Sequence, residues 1–249
     1  MYPTSYNADA FVEKVIQHPE VMIPVMAIGM GFGFIEYIYC AIMTRRNGTS
    51  PFPVHMHTYY LAHDFLFVLL FKQWFFEYDS VVYQFMWMGM VAFNLFKIYS
   101  LYITVKYERQ EAFGKYYDQP VTERQATAWV VGMTLFCFVL MCTVRAFTND
   151  KLMLIVFTST NVMMAISPAL LTMQKRVRYK HSLGLAFFIV LGTIATFLPP
   201  GLGQYTTGAG DFFSRSLFYL LGIACTIIAI WHYRVLRKMP ISPAPIWHA

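Results

Sequence analysis

The chain has 249 residues, of which 57% are hydrophobic and only 13% are charged, whereas average soluble domains carry about 25% charged residues. A soluble protein of this size could not bury so much apolar surface, so the composition excludes a soluble globular domain and indicates a polytopic membrane protein. The formal net charge is +6. The aromatic residues lie in long apolar runs rather than beside Lys and Arg clusters, so nothing in the sequence indicates nucleic-acid binding.

The first part of the chain, residues 1–20, is polar and contains neither an early basic region nor an apolar core. No cleavable signal peptide is therefore predicted, and we expect the first membrane span to direct insertion and to be retained.

Seven runs are long and apolar enough to form membrane helices, each of which needs about 20 mostly apolar residues. Turn and breaker residues separate the runs. The predicted spans are residues 21–43, 55–75, 81–105, 126–147, 152–173, 182–198 and 213–231. We therefore predict an all-α fold that forms one transmembrane domain over 1–249, with the polar segment 1–20 before it and a basic, Pro-containing tail over 232–249.

The distribution of basic residues predicts the orientation of these spans, because cytosolic loops carry an excess of Lys and Arg. One set of loops, together with the tail, is strongly basic: Arg45, Arg46, Lys106, Arg109, Lys115, Arg124, Lys175, Arg176, Arg178, Lys180, Arg234, Arg237 and Lys238. The opposite set carries mainly Lys14, Lys72, Lys151 and Arg215. We expect the first set in the cytosol, with the N-terminus lumenal or outside and the C-terminus cytosolic. The glycan acceptor pattern at Asn47 then lies on the cytosolic side, and no glycan is expected there.

Glu36 lies deep in the first predicted span. A charged side chain at the centre of a membrane costs about 2.5–3.5 kcal/mol on insertion scales, so Glu36 is either neutral or paired with a cation. The residues leave open whether it makes a hydrogen bond between helices or takes part in chemistry.

His63 and Asp64 lie in the second predicted span. Asp64 is a candidate acid if an apolar pocket surrounds it, and His63 is a candidate to orient Asp64 or to relay a proton. The alternative is a polar patch near the interface, because His55 and His57 precede them. These two histidines lie on different faces of a helix and no second cluster completes a site, so no metal is predicted.

Asn94 and Lys97 are three residues apart in the third span and therefore share one helix face. Lys97 is a candidate partner for Glu36 or Asp64, unless its stem extends along the helix and places the ammonium at the interface. In the fifth span, Asn161 and Ser167 are candidates for hydrogen bonds between helices or for ligand binding. Arg145 is expected to anchor the end of the fourth span.

The aromatic residues have two interpretations. They form a lipid-facing belt and ordinary core, or they line a cavity that stabilises a cation. No phosphate-binding loop and no nucleophile motif is present.

Several dispersed motifs make the chain similar to a known family, the small integral-membrane terpene cyclases of fungal meroterpenoid and indole-diterpene pathways. The matching stretches are Gly29-Met30-Gly31 with Tyr37 and Tyr39, Asn94-Leu95-Phe96-Lys97-Ile98-Tyr99, Ile103-Thr104-Val105-Lys106-Tyr107, Asn161 with Ser167 and Ser182, and Ile230-Trp231-His232-Tyr233-Arg234. The chain departs from the family at its two acids. Asp64 stands where the second helix of the family has an essential Glu, and the last helix has no carboxylate near Ile223.

The resemblance implies a membrane-bound, multi-pass enzyme, located in the endoplasmic reticulum by analogy, that needs no metal or organic cofactor. A prenylated and epoxidised substrate would enter from the bilayer, an acid would open the epoxide, and the cation would close rings in an aromatic cavity. The implied catalytic residues are Asp64 as the acid, with His63 or Glu36 as proton relay or terminating base. The substrate-binding candidates are Tyr37, Phe65, Phe67, Asn94, Lys97 and Asn161.

Two other functions stay open at this point. The first is a transporter of a small hydrophobic molecule that is coupled to protons through Glu36 and Asp64. The second is a receptor-like or scaffold protein that catalyses no reaction. The sequence indicates neither the particular substrate nor the oligomeric state.

Overall fold

The computed structural model describes residues 5–241, apart from the side chain of Lys175. Residues 1–4 of the predicted N-terminal segment and residues 242–249 of the predicted tail lie outside the described residues. Every extended regular element in that range is helical, and the one β contact recorded there is an isolated bridge between Arg178 and Ile241. This confirms the all-α prediction. The helices are α1 Ala8–Gln17, α2 Pro19–Asn47, α3 Val54–Leu69, α4 Val81–Ile103, α5 Arg109–Phe113, α6 Glu123–Phe147, α7 Leu154–Lys175, α8 Ser182–Thr196, α9 Gln204–Gly208, α10 Gly210–Phe213 and α11 Ser216–Lys238.

Five helices in the described range are long and apolar enough to cross a membrane, namely α2, α4 with its continuation to Tyr116, α6, α7 and α11. They coincide with the first, third, fourth, fifth and seventh predicted spans. The helix that begins at Val81 continues past the predicted end at 105, so part of the expected loop 106–125 is helical. These five helices are consistent with an integral membrane protein.

The second and sixth predicted spans form shorter helices. α8 has 15 residues and α3 has 16, which corresponds to roughly 22–24 Å of helix, less than the about 30 Å of a bilayer core. After α3 the chain makes a turn at Leu70 and continues as a π-helical turn, Gln73–Glu77. Apolar composition does not reveal this break, so the count of seven spans stays a prediction.

Local signals define the helix ends. α2 begins with Pro19 and ends at Asn47, and the following Gly48 has a φ of +69°, which suits glycine. α6 begins with a capping box in which Thr122 and Gln125 bond each other's backbone N–H groups. α7 continues unbroken through Pro168.

The polar N-terminal segment contains a helix that the sequence analysis missed. α1 buries one face, formed by Ala8, Phe11, Val12 and Val15, against the rest of the protein. The Phe11 ring packs so closely on Gly208 that a Cβ there would lie 2.1 Å from Phe11 Cε2. α1 therefore covers one end of the bundle together with α9.

α3 and α8, the two short helices, occupy central positions in the bundle. α3 packs against α4, α6 and α7, and α8 packs against α2, α7 and α11. Large apolar side chains cover the outside of the long helices, for example Leu95, Ile98 and Phe136. This arrangement of buried short helices and apolar outer faces is compatible with surrounding lipid.

The loops gather at two ends of the bundle. At one end, Arg46 contacts His181 at 3.0 Å and the backbone N–H of Arg178 donates to the carbonyl of Pro240. At the other end, Gln73 donates to the carbonyl of Lys151 at 2.8 Å. Two of the basic loops that the sequence assigned to one side are thus in contact with each other, and one of them also contacts the tail.

Candidate functional site

A buried ion pair lies in the centre of the bundle. The Lys97 ammonium of α4 contacts Asp64 Oδ2 of α3, and His63 Nδ1 lies 2.7 Å from Asp64 Oδ1. Lys97 is 0% exposed and Asp64 is 2% exposed. Both carboxylate oxygens are therefore satisfied, one by a cation and one by an imidazole, which is the condition under which a buried ion pair is tolerated. Lys97 does not extend to the interface.

Three aromatic rings surround the Lys97 ammonium. The distances from Lys97 Nζ to the ring centroids are 4.7 Å for Tyr37, 5.5 Å for Tyr60 and 5.7 Å for Phe93. Tyr37 and Phe93 are stacked, with centroids 4.1 Å apart. The Tyr60 hydroxyl donates to the carbonyl of Thr160 at 2.5 Å. The quadrupoles of these rings favour positive charge at this position.

Glu36 is the second carboxyl in the centre of the protein and is 4% exposed. Its carboxyl packs against α8, where a Cβ on Gly192 would lie 2.6 Å from Glu36 Oε1. Within residues 5–241, Glu36 has no cation beside it and accepts no hydrogen bond. Lys97 therefore pairs with Asp64 and not with Glu36, and an ionised Glu36 would be an uncompensated buried charge.

The two carboxyls face one cavity of about 80 Å³, which we call the central cavity. Side chains of α2, α3, α4, α7 and α9 line it: Glu36, Tyr37, Tyr60, His63, Asp64, Met86, Met90, Phe93, Phe157, Asn161, Gln204 and Tyr205, among others. This volume is well below the about 300–1,000 Å³ of pockets for organic ligands. A larger guest therefore requires movement of the groups that line the cavity.

Short helix α9 closes the central cavity toward the end that carries α1. Tyr205 is buried, and Asn161 of α7 donates to its hydroxyl at 3.4 Å. Gln204 of the same helix packs on Gly29 of α2. Burial raises the pKa of Tyr205 above its ordinary value, so its phenol stays protonated.

The gap between α2 and α4 is filled by an aromatic side chain. The Phe34 ring packs on Gly89, where a Cβ would lie 2.7 Å from Phe34 Cζ, and its centroid is 4.9 Å from that of Phe93. Phe34 itself lines the central cavity. Phe34 is partly exposed, so its ring lies between the central cavity and the outer surface of the bundle.

The structure assigns several predicted residues to other places. Phe65 is 48% exposed and packs on Phe138 of α6, so it faces outward. Phe67 is buried but stacks on Trp74, with centroids 4.3 Å apart, and does not line the central cavity. Phe65 and Phe67 were predicted to bind substrate, but neither lines the central cavity. Phe65 directly follows Asp64, and neighbouring residues of a helix point about 100° apart.

Two further predictions have clear outcomes. Asn94 is buried on the same face of α4 as Lys97 but is not among the residues that line the central cavity. Asn161 and Ser167 make the expected hydrogen bonds between helices, to Tyr205 and to His55 respectively. Asn161 also lines the cavity, and its role in ligand binding stays a prediction.

The sequence analysis missed Tyr60 and Phe93. Tyr60 lies four residues before Asp64, and Phe93 lies four residues before Lys97, so each shares a helix face with the charged residue that follows it. The spacing of four residues could therefore have indicated from the sequence that Tyr60 and Phe93 lie beside the charged residues.

A larger cavity of about 410 Å³, which we call the vestibule, lies at the basic end of the bundle. Its lining includes Ser50, His55, Thr104, Glu108, Lys115 and Trp129. It is separate from the central cavity in the structure.

Comparison of the chain with protein-family models, curated proteins and solved structures finds no match in any of the three. The resemblance to terpene cyclases stays a prediction from dispersed motifs.

Proposed function

We propose that the protein is a membrane-embedded cyclase that protonates a prenylated, epoxidised substrate and closes rings on the resulting cation. One observation carries the proposal: two carboxyls face one small cavity in opposite environments. Asp64 is paired with Lys97 and His63, whereas Glu36 has no cation beside it in the described part of the chain. Such divergence between two carboxyls is typical of acid and base roles.

The environment of each group supports a different division of roles from the one the sequence favoured. Glu36 is the better candidate acid, because burial without a cation favours its proton-bearing form. Asp64 suits an acid poorly, because Lys97 compensates its negative charge. His63 is the candidate base: its Nδ1 faces Asp64, and its Nε2 is buried without a hydrogen-bond partner among residues 5–241.

The proposed reaction is an isomerisation in which protons balance. Glu36 gives its proton to the epoxide oxygen as a carbon–oxygen bond breaks, and the carbocation forms carbon–carbon bonds by accepting electrons from double bonds of the same chain. His63 Nε2 accepts the final proton. The rings of Tyr37 and Phe93 stabilise the passing positive charge, and exclusion of water prevents its early capture.

A substrate of this kind is dissolved in lipid, and the α2–α4 gap offers it a route. Displacement of Phe34 from Gly89 would admit the terminal isoprenoid unit into the central cavity while the remainder of the molecule lies between helices. The seven-span topology, with a cytosolic C-terminus and residence in the endoplasmic reticulum, is part of this proposal.

The proposal is tested with microsomes that contain the protein and are supplied with an epoxyfarnesyl-phenol. We expect cyclised product from the wild type and a loss of about 10²–10⁴-fold in rate for Glu36→Gln, as for removal of a general acid. Glu77→Gln, which changes an exposed carboxyl, serves as the matched control and should retain full activity. Full activity of Glu36→Gln would reject Glu36 as the acid.

A proton-coupled transporter of a small hydrophobic molecule is the second candidate, and the buried Asp64–Lys97 pair favours it, since intramembrane charges often mark ion pathways. Helix breaks at Gly29–Gly33 or at Pro168 would support a transporter, but α2 and α7 run unbroken through these positions. Proteoliposomes with an internal pH dye distinguish the two: the transporter acidifies or alkalises the interior when the hydrophobic compound is added, and the cyclase does not.

A further inference from the structure

A stripe of buried polar residues runs along α4 and the π-helical turn Thr104–Glu108 that continues it, from the middle of the bundle to the vestibule. We call it the polar column, and its members are Asn94, Lys97, Ser100, Thr104 and Glu108. The spacing of three residues places the first three on one face of α4, and the last two are buried at the end of the same continuous helix. The exposed face of the same helix carries Leu95, Ile98 and Tyr102. A buried polar face opposite a lipid-compatible face is costly in a membrane and indicates a function.

Hydrogen bonds connect the last three members of the polar column, Ser100, Thr104 and Glu108. Thr104 Oγ1 donates to Glu108 Oε2 at 3.2 Å and also lies 3.2 Å from the carbonyl of Ser100. Thr49, in the loop after α2, donates to the other oxygen of Glu108. Thr104 and Glu108 both line the vestibule. The column is therefore continuous with a cavity at the basic end of the bundle.

Polar groups of α2 and α3 face the same region. His57 Nε2 lies 2.6 Å from the hydroxyl of Ser50, which lines the vestibule. Ser50 lies 4.0 Å from Cys40 Sγ, and Cys40 is buried in α2. A second series of polar side chains thus leads from the vestibule into the bundle.

One hydroxyl of the polar column has no hydrogen-bond partner within the described residues. It is Ser100 Oγ, which is buried. Buried hydroxyls in native proteins are bonded to protein or to ordered water, so this position calls for water.

From the buried polar column, its continuity with the vestibule and the Ser100 hydroxyl without a partner in the described residues, we infer a hydrated proton-exchange path that links the vestibule to the Asp64–Lys97–His63 cluster. Water and protons enter beside Glu108 and Thr104, pass Ser100, and reach Lys97. The cluster then exchanges protons with the aqueous phase at the basic end of the bundle. At the other end, α9 closes the central cavity. This inference does not rest on the cyclase proposal.

Silver-ion blocking of introduced cysteines in lipid nanodiscs tests the path. All four native cysteines are unpaired and are replaced by alanine, and then Ser100→Cys, Thr104→Cys or Ile98→Cys is introduced. Thiols that remain after a timed exposure to Ag⁺ are counted with a fluorescent maleimide in denaturant. Ile98 is the matched control because it lies about 3 Å from Ser100 along the helix axis and its side chain is exposed on the outer surface.

We expect Ser100→Cys and Thr104→Cys to be blocked about tenfold faster than Ile98→Cys, because hydration favours the reactive thiolate. In the Ser100→Cys protein, the additional change Thr104→Leu should slow blocking by closing the path. Equal rates at Ser100→Cys and Ile98→Cys, in proteins that elute as the parent does in size-exclusion chromatography, would overturn the inference. Failure of the cyclase assay leaves this measurement unaffected.

Discussion

At the scale of residues, the central finding is which charges meet. Lys97 had two candidate partners, and it contacts Asp64 while Glu36 packs against Gly192 on the other side of the cavity. Two carboxyls of similar chemistry therefore acquire different environments through their neighbours alone. This difference assigns them different roles in the proposed chemistry.

The ion pair predicts a non-additive effect on stability. Lys97→Met and Asp64→Asn should each lower stability by about 3–5 kcal/mol, because each leaves an uncompensated charge or donor in the interior. The double variant should lose less than the sum, since neither charge remains. Thermal unfolding of all four proteins in the same detergent measures this coupling, and single variants that melt like the wild type would contradict the pairing.

At the scale of elements, the N-terminal segment is fixed to α7 by a compact set of hydrogen bonds. The Tyr6 hydroxyl donates to Asp150 Oδ1 at 2.5 Å and accepts from the backbone N–H of Leu152 at 2.8 Å. Asp150 Oδ2 accepts from the N–H groups of Ile155 and Val156 at the start of α7. Asp150 thus caps a membrane helix and holds the segment that leads into α1.

Burial shifts the pKa of both Tyr6 and Asp150 toward the protonated form. Burial and the Asp150 carboxyl raise the pKa of Tyr6 well above its ordinary value, so the phenol remains a donor. Burial also raises the pKa of Asp150, against the opposing effect of the hydrogen bonds that it accepts. A raised pKa of an acid means that its contribution to stability is full at low pH and declines as the pH rises through the folded-state pKa.

Tyr6→Phe should therefore destabilise the N-terminal cover without changing its shape. The variant leaves the N–H of Leu152 and one oxygen of Asp150 without their partner, which costs about 1–3 kcal/mol. Hydrogen–deuterium exchange of α1 and the start of α7 should increase, whereas exchange in α11 should not. The matched control Tyr116→Phe alters an exposed tyrosine and should leave both regions unchanged.

At the scale of the whole molecule, the distribution of charge sets the proposed orientation. The basic loops contact one another at the vestibule end, and the α1 and α9 cover lies at the other end. If the basic end is cytosolic, the vestibule and the hydrated path open to the cytosol and the covered end faces the lumen or the outside.

Glycan acceptors test this orientation during translation with endoplasmic reticulum microsomes. Asp9→Thr creates an acceptor at Asn7, twelve residues before α2 begins at Pro19, and we expect it to be modified. The natural acceptor at Asn47 should remain unmodified, and Asn7→Gln added to Asp9→Thr should remove the modification. A glycan on Asn47 would reverse the proposed topology.

The sequence alone determined that the protein is helical and that it has apolar segments of membrane-spanning length. It also determined that Glu36, His63, Asp64 and Lys97 lie within these apolar segments. Composition and spacing suffice for these conclusions, because each depends on one segment at a time. The break of the second span after Leu69 escaped the same approach, since an apolar run continues through it.

Only the tertiary structure decided which helix faces meet. It placed Asp64 rather than Glu36 against Lys97, turned Phe65 outward, and aligned Ser100, Thr104 and Glu108 with the vestibule. The physical reason is that periodicity fixes directions within one helix, whereas the rotation of each helix relative to its neighbours follows from packing between segments far apart in the chain.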